Sequence, residues 1–248
     1  MVKDALALEP SRSHFYLAIE ADITSVYAKL QKQRRQGNAH YGMSAFLLFC
    51  YIKTLLKYPI ANSRRIASEK IAKYNSVDIF MPVEKKIEDE YILFPSMIRN
   101  ADSLNLEALS KEFAQLSTNS VVELSAIEMG FLRLPGVIRK LYFRLAKKRP
   151  SLSRVLFGTS GFSTISMYGN GSLWGYGIPF HTVSIYIGNS RNTTELSGSE
   201  VINRKYIDIV FAFDHRTLDG AMGARVINYF RGLVEREYSE ISDELKNL

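Results

Sequence analysis

Residues 208–220 read DIVFAFDHRTLDG, an apolar run that ends on Asp214-His215-Arg216 and continues to Asp219-Gly220. A histidine at the tip of a buried strand is held by its neighbours and faces whatever cleft lies beyond the strand end, which is where a general base belongs. Asp214 and Asp219 can pair with Arg216 to fix the loop, and Gly220 suits a tight turn into the next helix. The competing reading is a histidine among surface charges at an ordinary strand end. The D-H-R-x-x-D-G spacing on a strand of Ile207, Ile209, Val210, Phe211 and Phe213 favours the base.

A base needs an electrophile and a donor for the oxyanion that forms. The serine-rich run GFSTISMYG (161–169) is the candidate donor. A Ser-His-Asp hydrolase triad is disfavoured, since no G-x-S-x-G elbow exists and Ser166 lies in a strand-like run. His181 reads as a strand-start histidine bonded to backbone in preference to a ligand-facing imidazole. His14 and His40 lack partners at metal-ligand spacing, and with one cysteine a zinc site is not expected. Without a P-loop or G-x-G-x-x-G, nucleotide hydrolysis and dinucleotide binding have no support.

The elements that must position these groups follow from periodicity. HFYLAIE (14–20) alternates as a half-buried strand, and Asp22 is expected to cap a helix bearing Ile23, Val26, Tyr27 and Leu30. Ser44 is expected to cap AFLLFCYIKTLLKY, apolar on most sides and hence central to a core. Residues 65–98 read as short strands with a hairpin at KKIEDE. Ser103 is expected to cap a helix with Leu106, Leu109, Phe113 and Leu116 buried. FSTIS, TVSIYIG and YIDIVFAF read as strands, and a last helix runs from about Ala221 to Tyr238. Strands mixed with helices outside strict βαβ alternation predict an α+β fold, a mixed β-sheet sandwich with helices packed on the sheet.

The 248 residues, 46% hydrophobic and without a linker or repeat, are expected to form one domain. The single cysteine, Cys50, excludes an intrachain disulfide and suits a reducing compartment. The N-terminus lacks a secretory h-region and no run reads as a transmembrane helix, so a cytoplasmic location is expected. The net charge of +7 is concentrated: no acid lies between Met129 and Thr194, while Arg133, Arg139, Lys140, Arg144, Lys147, Lys148, Arg149 and Arg154 fall within 131–154. A general nucleic-acid binder would not concentrate its charge in this way. After Pro135 the helical wheel puts Val137, Ile138, Leu141, Tyr142 and Leu145 on one face and Lys140, Arg144, Lys147 and Lys148 on the other, a basic amphipathic helix. Either it packs on the body with a solvated basic face, or Arg139, Lys140, Arg144, Lys147 and Lys148 contact an anionic membrane, an acyl-carrier protein or coenzyme A phosphate.

DHRTLDG with the helix after it resembles the active-site signature of the dihydrolipoyl acyltransferases, the core components of the 2-oxoacid dehydrogenase complexes, which share the chloramphenicol acetyltransferase-like fold. HFYLAIEADIT (14–24), FPSMIRNADSLNLEAL (94–109) and GFSTISMYG match further segments of that family in the right order. The resemblance implies that His215 removes a proton from a hydroxyl, thiol or amine, which attacks the thioester of an acyl-coenzyme A co-substrate. It implies that Ser166 hydrogen-bonds the tetrahedral intermediate and that Asp219 orders the loop or the intermediate. Asp214, Arg216 and Gly220 then support the loop, and Arg99 and Asp102 receive no chemistry. It also implies a trimer or a multiple of three, in which the histidine of one subunit faces the serine of its neighbour. Met167 stands where the family has an asparagine, and Ile178-Pro179-Phe180 where it has Asn-Pro-Pro, and both changes imply a more apolar pocket. The chain is read as lacking the lipoyl and subunit-binding domains and as carrying a longer basic segment at about 127–154. The function expected is therefore a free-standing CoA-dependent acyltransferase with a small or lipid-like acceptor. Transfer to a dihydrolipoyl group on a separate lipoyl protein, or a silent oligomeric scaffold, are the alternatives.

Overall fold

The computed structural model describes residues 14–36, 42–67, 70–87, 90–118, 134–138, 141, 149–166, 171–177 and 179–236. Among the described residues there are eight strands: β1 (His14–Asp22), β2 (Ser63–Ala67), β3 (Lys70–Lys73), β4 (Ile79–Ile87), β5 (Glu90–Ile98), β6 (Ser160–Thr164), β7 (Val183–Ser197) and β8 (Glu200–Asp214). Five helices of eight residues or more accompany them among the described residues: α1 (Thr24–Arg35), α2 (Met43–Lys57), α3 (Leu106–Thr118), α4 (Pro150–Phe157) and α5 (Gly220–Glu235). Six strands form one mixed sheet in the order β1-β8-β7-β6-β4-β5, and β2 and β3 form a separate hairpin. The expected α+β architecture, with helices on a mixed sheet, is the one observed.

The sheet has two differently covered faces because β-strand side chains alternate. Ile207, Ile209, Phe211 and Phe213 of β8 and Val183, Ile185 and Ile187 of β7 point to the helices and join one core with Phe46, Leu47, Tyr51, Val226 and Phe230. Helix α2 buries ten side chains, from Ala45 to Leu55, and so lies inside the core as its composition predicts. On the opposite face Val210 and Ala212 are also buried. There the 171–177 segment crosses the sheet: the Tyr16 hydroxyl donates to the Gly177 carbonyl at 3.1 Å and its ring meets Tyr176 edge-on.

Helix starts differ in detail from the sequence expectation. Asp22 lies before the cap position yet does accept from Thr24 N–H at 2.9 Å. Ser44 falls inside α2, whose cap is Gly42 with no side-chain bond. Asn105, not Ser103, caps α3, its Oδ1 accepting from Ala108 N–H at 2.9 Å. Ser103 ends a 3-10 turn and its hydroxyl is spent on the Asn100 carbonyl, so it is no longer available to the helix.

One buried polar chain ties α2 to the sheet. The fully buried Tyr51 hydroxyl lies 2.5 Å from Ser160 Oγ, which also donates to the Val183 carbonyl at 2.9 Å. Burial pushes the Tyr51 phenol well above its ordinary range, so it remains neutral and serves as a hydrogen-bonding group. Tyr51→Phe keeps the ring and deletes the bond, and should cost about 1–2 kcal/mol with an unchanged m-value in urea unfolding.

Candidate active site

The turn that carries His215 is built on Asp214, the last residue of β8. Its backbone N–H donates to the Thr182 carbonyl at 2.9 Å, and its carbonyl accepts from Thr217 and Leu218 at 2.9 and 3.0 Å. The buried carboxylate takes three bonds from Arg216: Oδ1 from the backbone N–H at 3.1 Å and from Nε at 3.0 Å, Oδ2 from a terminal nitrogen at 2.9 Å. A charge-assisted fork across two residues leaves the turn little freedom. Leu218 plugs into the core, and Asp219 caps α5 by accepting from Met222 N–H at 2.7 Å. Asp214, rather than Asp219, is therefore the partner of Arg216 among the hydrogen bonds observed.

His215 stands exposed on this base. Its ring meets Phe15 edge-on, with centroids 5.2 Å apart, and Phe15 itself stacks on Phe213. Among the described residues neither ring nitrogen has a hydrogen-bond partner, so the imidazole is oriented by packing and remains open to an incoming donor. Gly220 is the first residue of α5, where an added Cβ would meet nothing within 4 Å. The turn conformation thus does not depend on its being glycine.

Ser166 follows β6, its Oγ 2.9 Å from Thr164 Oγ1. Strand β6 runs parallel to β7 with Thr164 opposite Ile187, and Ile187 lies opposite Ile209 of β8. His215 is six residues further along β8, which at ~3.3 Å per residue is about 20 Å away along the sheet. Within one chain the two predicted catalytic groups therefore occupy opposite ends of the sheet and are not brought together.

A strap holds the Ser166 end. Asp208, fully buried in β8, accepts from Ser172 Oγ at 2.6 Å, from Leu173 N–H at 3.1 Å and from Arg191 at 2.6 Å. The Leu173 carbonyl in turn accepts from Asn189 N–H at 3.2 Å and lies so close to Gly188 that a Cβ there would fall 1.9 Å from it. This position does demand glycine. Sequence reading missed Asp208, whose role depends on residues distant in the chain.

At the His215 end, a cavity of about 10 Å³ is lined by Arg64, Arg65, His181, Thr182 and Asp214. It has room for about one water. His181 is buried with Nε2 at 2.5 Å from the Phe157 carbonyl, the backbone-bonded role expected of it. Phe180 packs against Phe157 and Phe80. Met167 and Ile178 lie outside the described residues, as do Arg139, Lys140, Arg144, Lys147 and Lys148. Arg99 and Arg154 converge on the buried Asp78 at 3.1 and 2.8 Å, so Arg154 belongs to an internal ion cluster and not to a basic face. Asp102 accepts from Val77 N–H at 2.7 Å.

Comparison with known proteins bears on the family and the fold. The family model of the 2-oxoacid dehydrogenases acyltransferase (catalytic domain) matches residues 3–123. A dihydrolipoyllysine-residue acetyltransferase component of the pyruvate dehydrogenase complex of Rickettsia bellii is 26% identical over 245 residues, 95% of this chain and 50% of that protein. The chain thus spans about half the length of the curated relatives it matches. The dihydrolipoamide acetyltransferase of Azotobacter vinelandii superposes with a TM-score of 0.67 at 17% identity, over 94% of this chain and 86% of the other. In that protein a serine, a histidine and, four residues further on, an asparagine have been examined for their role in the catalytic mechanism. A chloramphenicol acetyltransferase superposes with a TM-score of 0.53 at 12% identity, over 94% and 92% of the two chains. These structures share the fold.

The Asp78 cluster sets an acid limit for the fold that carries the site. Burial alone would raise the Asp78 carboxyl, but Arg154, the Asn100 N–H and Arg99 outweigh it and hold it below the ordinary carboxylate range. A lowered folded-state pKa adds stability above the unfolded value of about 4, which is lost as pH falls through the folded one. Asp78→Asn should therefore cost on the order of 2 kcal/mol at pH 7, moderated by the partial exposure of both guanidinia. The variant's thermal midpoint should also fall less steeply than the wild type's below pH 4.

Proposed function

The chain is a relative of the acyltransferase catalytic domains of the 2-oxoacid dehydrogenases, and on that premise we propose that it moves an acyl group between coenzyme A and a dihydrolipoyl thiol on a partner protein. The observation that carries the proposal is the exposed His215 imidazole, set by Phe15 on a turn locked by Asp214 and Arg216, with both ring nitrogens lacking a hydrogen-bond partner among the described residues. A ring nitrogen of His215 takes the thiol proton. The thiolate sulfur bonds to the thioester carbonyl carbon, and the resulting oxyanion accepts a hydrogen bond from Ser166. The carbon–sulfur bond to the leaving thiol then breaks, and His215 returns its proton to that thiol. No covalent enzyme intermediate and no metal is required by these steps.

The sequence favoured a free-standing enzyme acting on a small or lipid-like acceptor. The names of the family model and of the curated relatives support the lipoyl acceptor over that reading. Asp219 stands four residues after His215, the spacing of the asparagine in the Azotobacter protein, and supports the site by fixing the start of α5.

Ser166 and His215 are more than about 20 Å apart in one chain by the strand geometry above, so the working site is proposed to form between copies, with His215 of one facing Ser166 of the next in a trimer or a multiple of three. His215→Ala should lower acyl transfer by about 10²–10⁴-fold and Ser166→Ala by about 10²–10³-fold, each with unchanged oligomer size. The decisive measurement mixes them. Co-expressed chains carrying one substitution each should regain about one quarter of the sites in random trimers, because some interfaces pair an intact histidine with an intact serine. Mixed oligomers that stay as inactive as either parent would overturn the shared site, as would an active monomer by light scattering.

A further inference from the structure

We infer that Gly223 in α5 is a positioning residue for acyl transfer, acting on His215 through the ring of Phe15. Glycine inside a helix is unfavourable relative to alanine, so its presence there asks for a reason. Gly223 is the fourth residue of α5 and is buried. Its backbone is helical and its φ is not positive, so the reason is space and not conformation. A Cβ at this position would lie 3.1 Å from both Cε2 and Cζ of Phe15, and 3.4 Å from Leu17 Cδ1. The missing side chain thus lets the far edge of the Phe15 ring rest against the helix backbone.

That edge contact reaches the base. Phe15 stacks on Phe213 with centroids 5.1 Å apart and meets the His215 ring edge-on at 5.2 Å and 68°. The strand cannot retreat to make room, because β1 is paired with β8 and Phe15 lies opposite Phe213 in that register. The start of α5 is held as well, by the Asp219 cap on Met222 N–H and by Leu218 in the core. A side chain at 223 is therefore accommodated by swinging the Phe15 ring about its own torsions, which moves Cε2 and Cζ the most. The imidazole that packs on this ring moves with it. A general base must lie within hydrogen-bond reach of the proton it takes, and a misplacement of about 1 Å costs on the order of 10²-fold. This inference rests on the reading of His215 as the base.

The test is a double-mutant cycle on the full chain, read as kcat and KM for transfer from acetyl-coenzyme A to free dihydrolipoamide. Helix propensity alone predicts that Gly223→Ala does no harm. Acting through Phe15, it should instead lower kcat about tenfold or more and leave both KM values within about twofold. Phe15→Leu, which deletes Cε2 and Cζ, should lower kcat in the same way. In the Phe15→Leu background Gly223→Ala should cost nothing further, because the atoms its Cβ would meet are gone. In the His215→Ala background it should leave the residual rate unchanged. Should Gly223→Ala alone fail to assemble, the double variant has room for the Cβ and carries the same comparison with Phe15→Leu. Wild-type kcat in Gly223→Ala or in Phe15→Leu overturns the inference, as does a loss confined to KM or a further loss in the double variant. A His215→Ala variant that transfers at the wild-type rate overturns the proposed function and this inference with it. A slow His215→Ala beside a fully active Gly223→Ala overturns this inference alone.

Discussion

A buried carboxylate at the end of a central strand governs the arrangement of the candidate site. Asp214 leaves the sheet still hydrogen-bonded to Thr182, and its charge is met within two residues by Arg216. Removing that guanidinium would take two charge-assisted bonds from a buried carboxylate, so the turn has strong reason to keep one shape. His215 lies between the two partners of this pair, and its geometry is inherited from them. The strand brings the histidine to the surface, the ion pair fixes the backbone beneath it, and the Phe15–Phe213 stack on the neighbouring strand sets the ring.

Strand direction imposes the second constraint. Because β6 is parallel to β7 and β7 antiparallel to β8, the end of β6 and the end of β8 point opposite ways. Ser166 and His215 follow these two ends. Shifts of a residue or two in either turn could not close a gap of more than about 20 Å. The polar core contacts serve the same frame: Tyr51 and Ser160 anchor the start of β6, and Asp78 gathers Arg99 and Arg154 beside it.

Local patterns in the sequence foretold much of this. Alternation located the strands, the apolar wheel of α2 foretold a central helix, and the DHRTLDG spacing singled out the histidine turn. Local patterns also misled where two neighbours compete for one job. Ser103 and Asn105 are both good caps, and only the 3-10 turn ending at Ser103 gives the helix to Asn105. Asp78 and Asp208 were invisible as hubs because their partners lie 21 to 76 residues away for the one and 17 to 36 for the other. The distance between Ser166 and His215 was equally hidden, since strand order and direction are properties of the whole sheet.

The strap over β7 has a consequence for how this chain can vary. Gly188, Leu173 and Asp208 come from three separate stretches, yet the Leu173 backbone is trapped between the glycine and the carboxylate. A larger residue at Gly188 would evict the strap, and a neutral one at Asp208 would leave Arg191 with Glu20 as its remaining carboxylate among those observed. The two defects share one cause, so their costs should overlap instead of adding. Evolutionary drift at either place is then confined to paths that rebuild all three together, and the end of β6, where Thr164 lies opposite Ile187, adjoins the same lock.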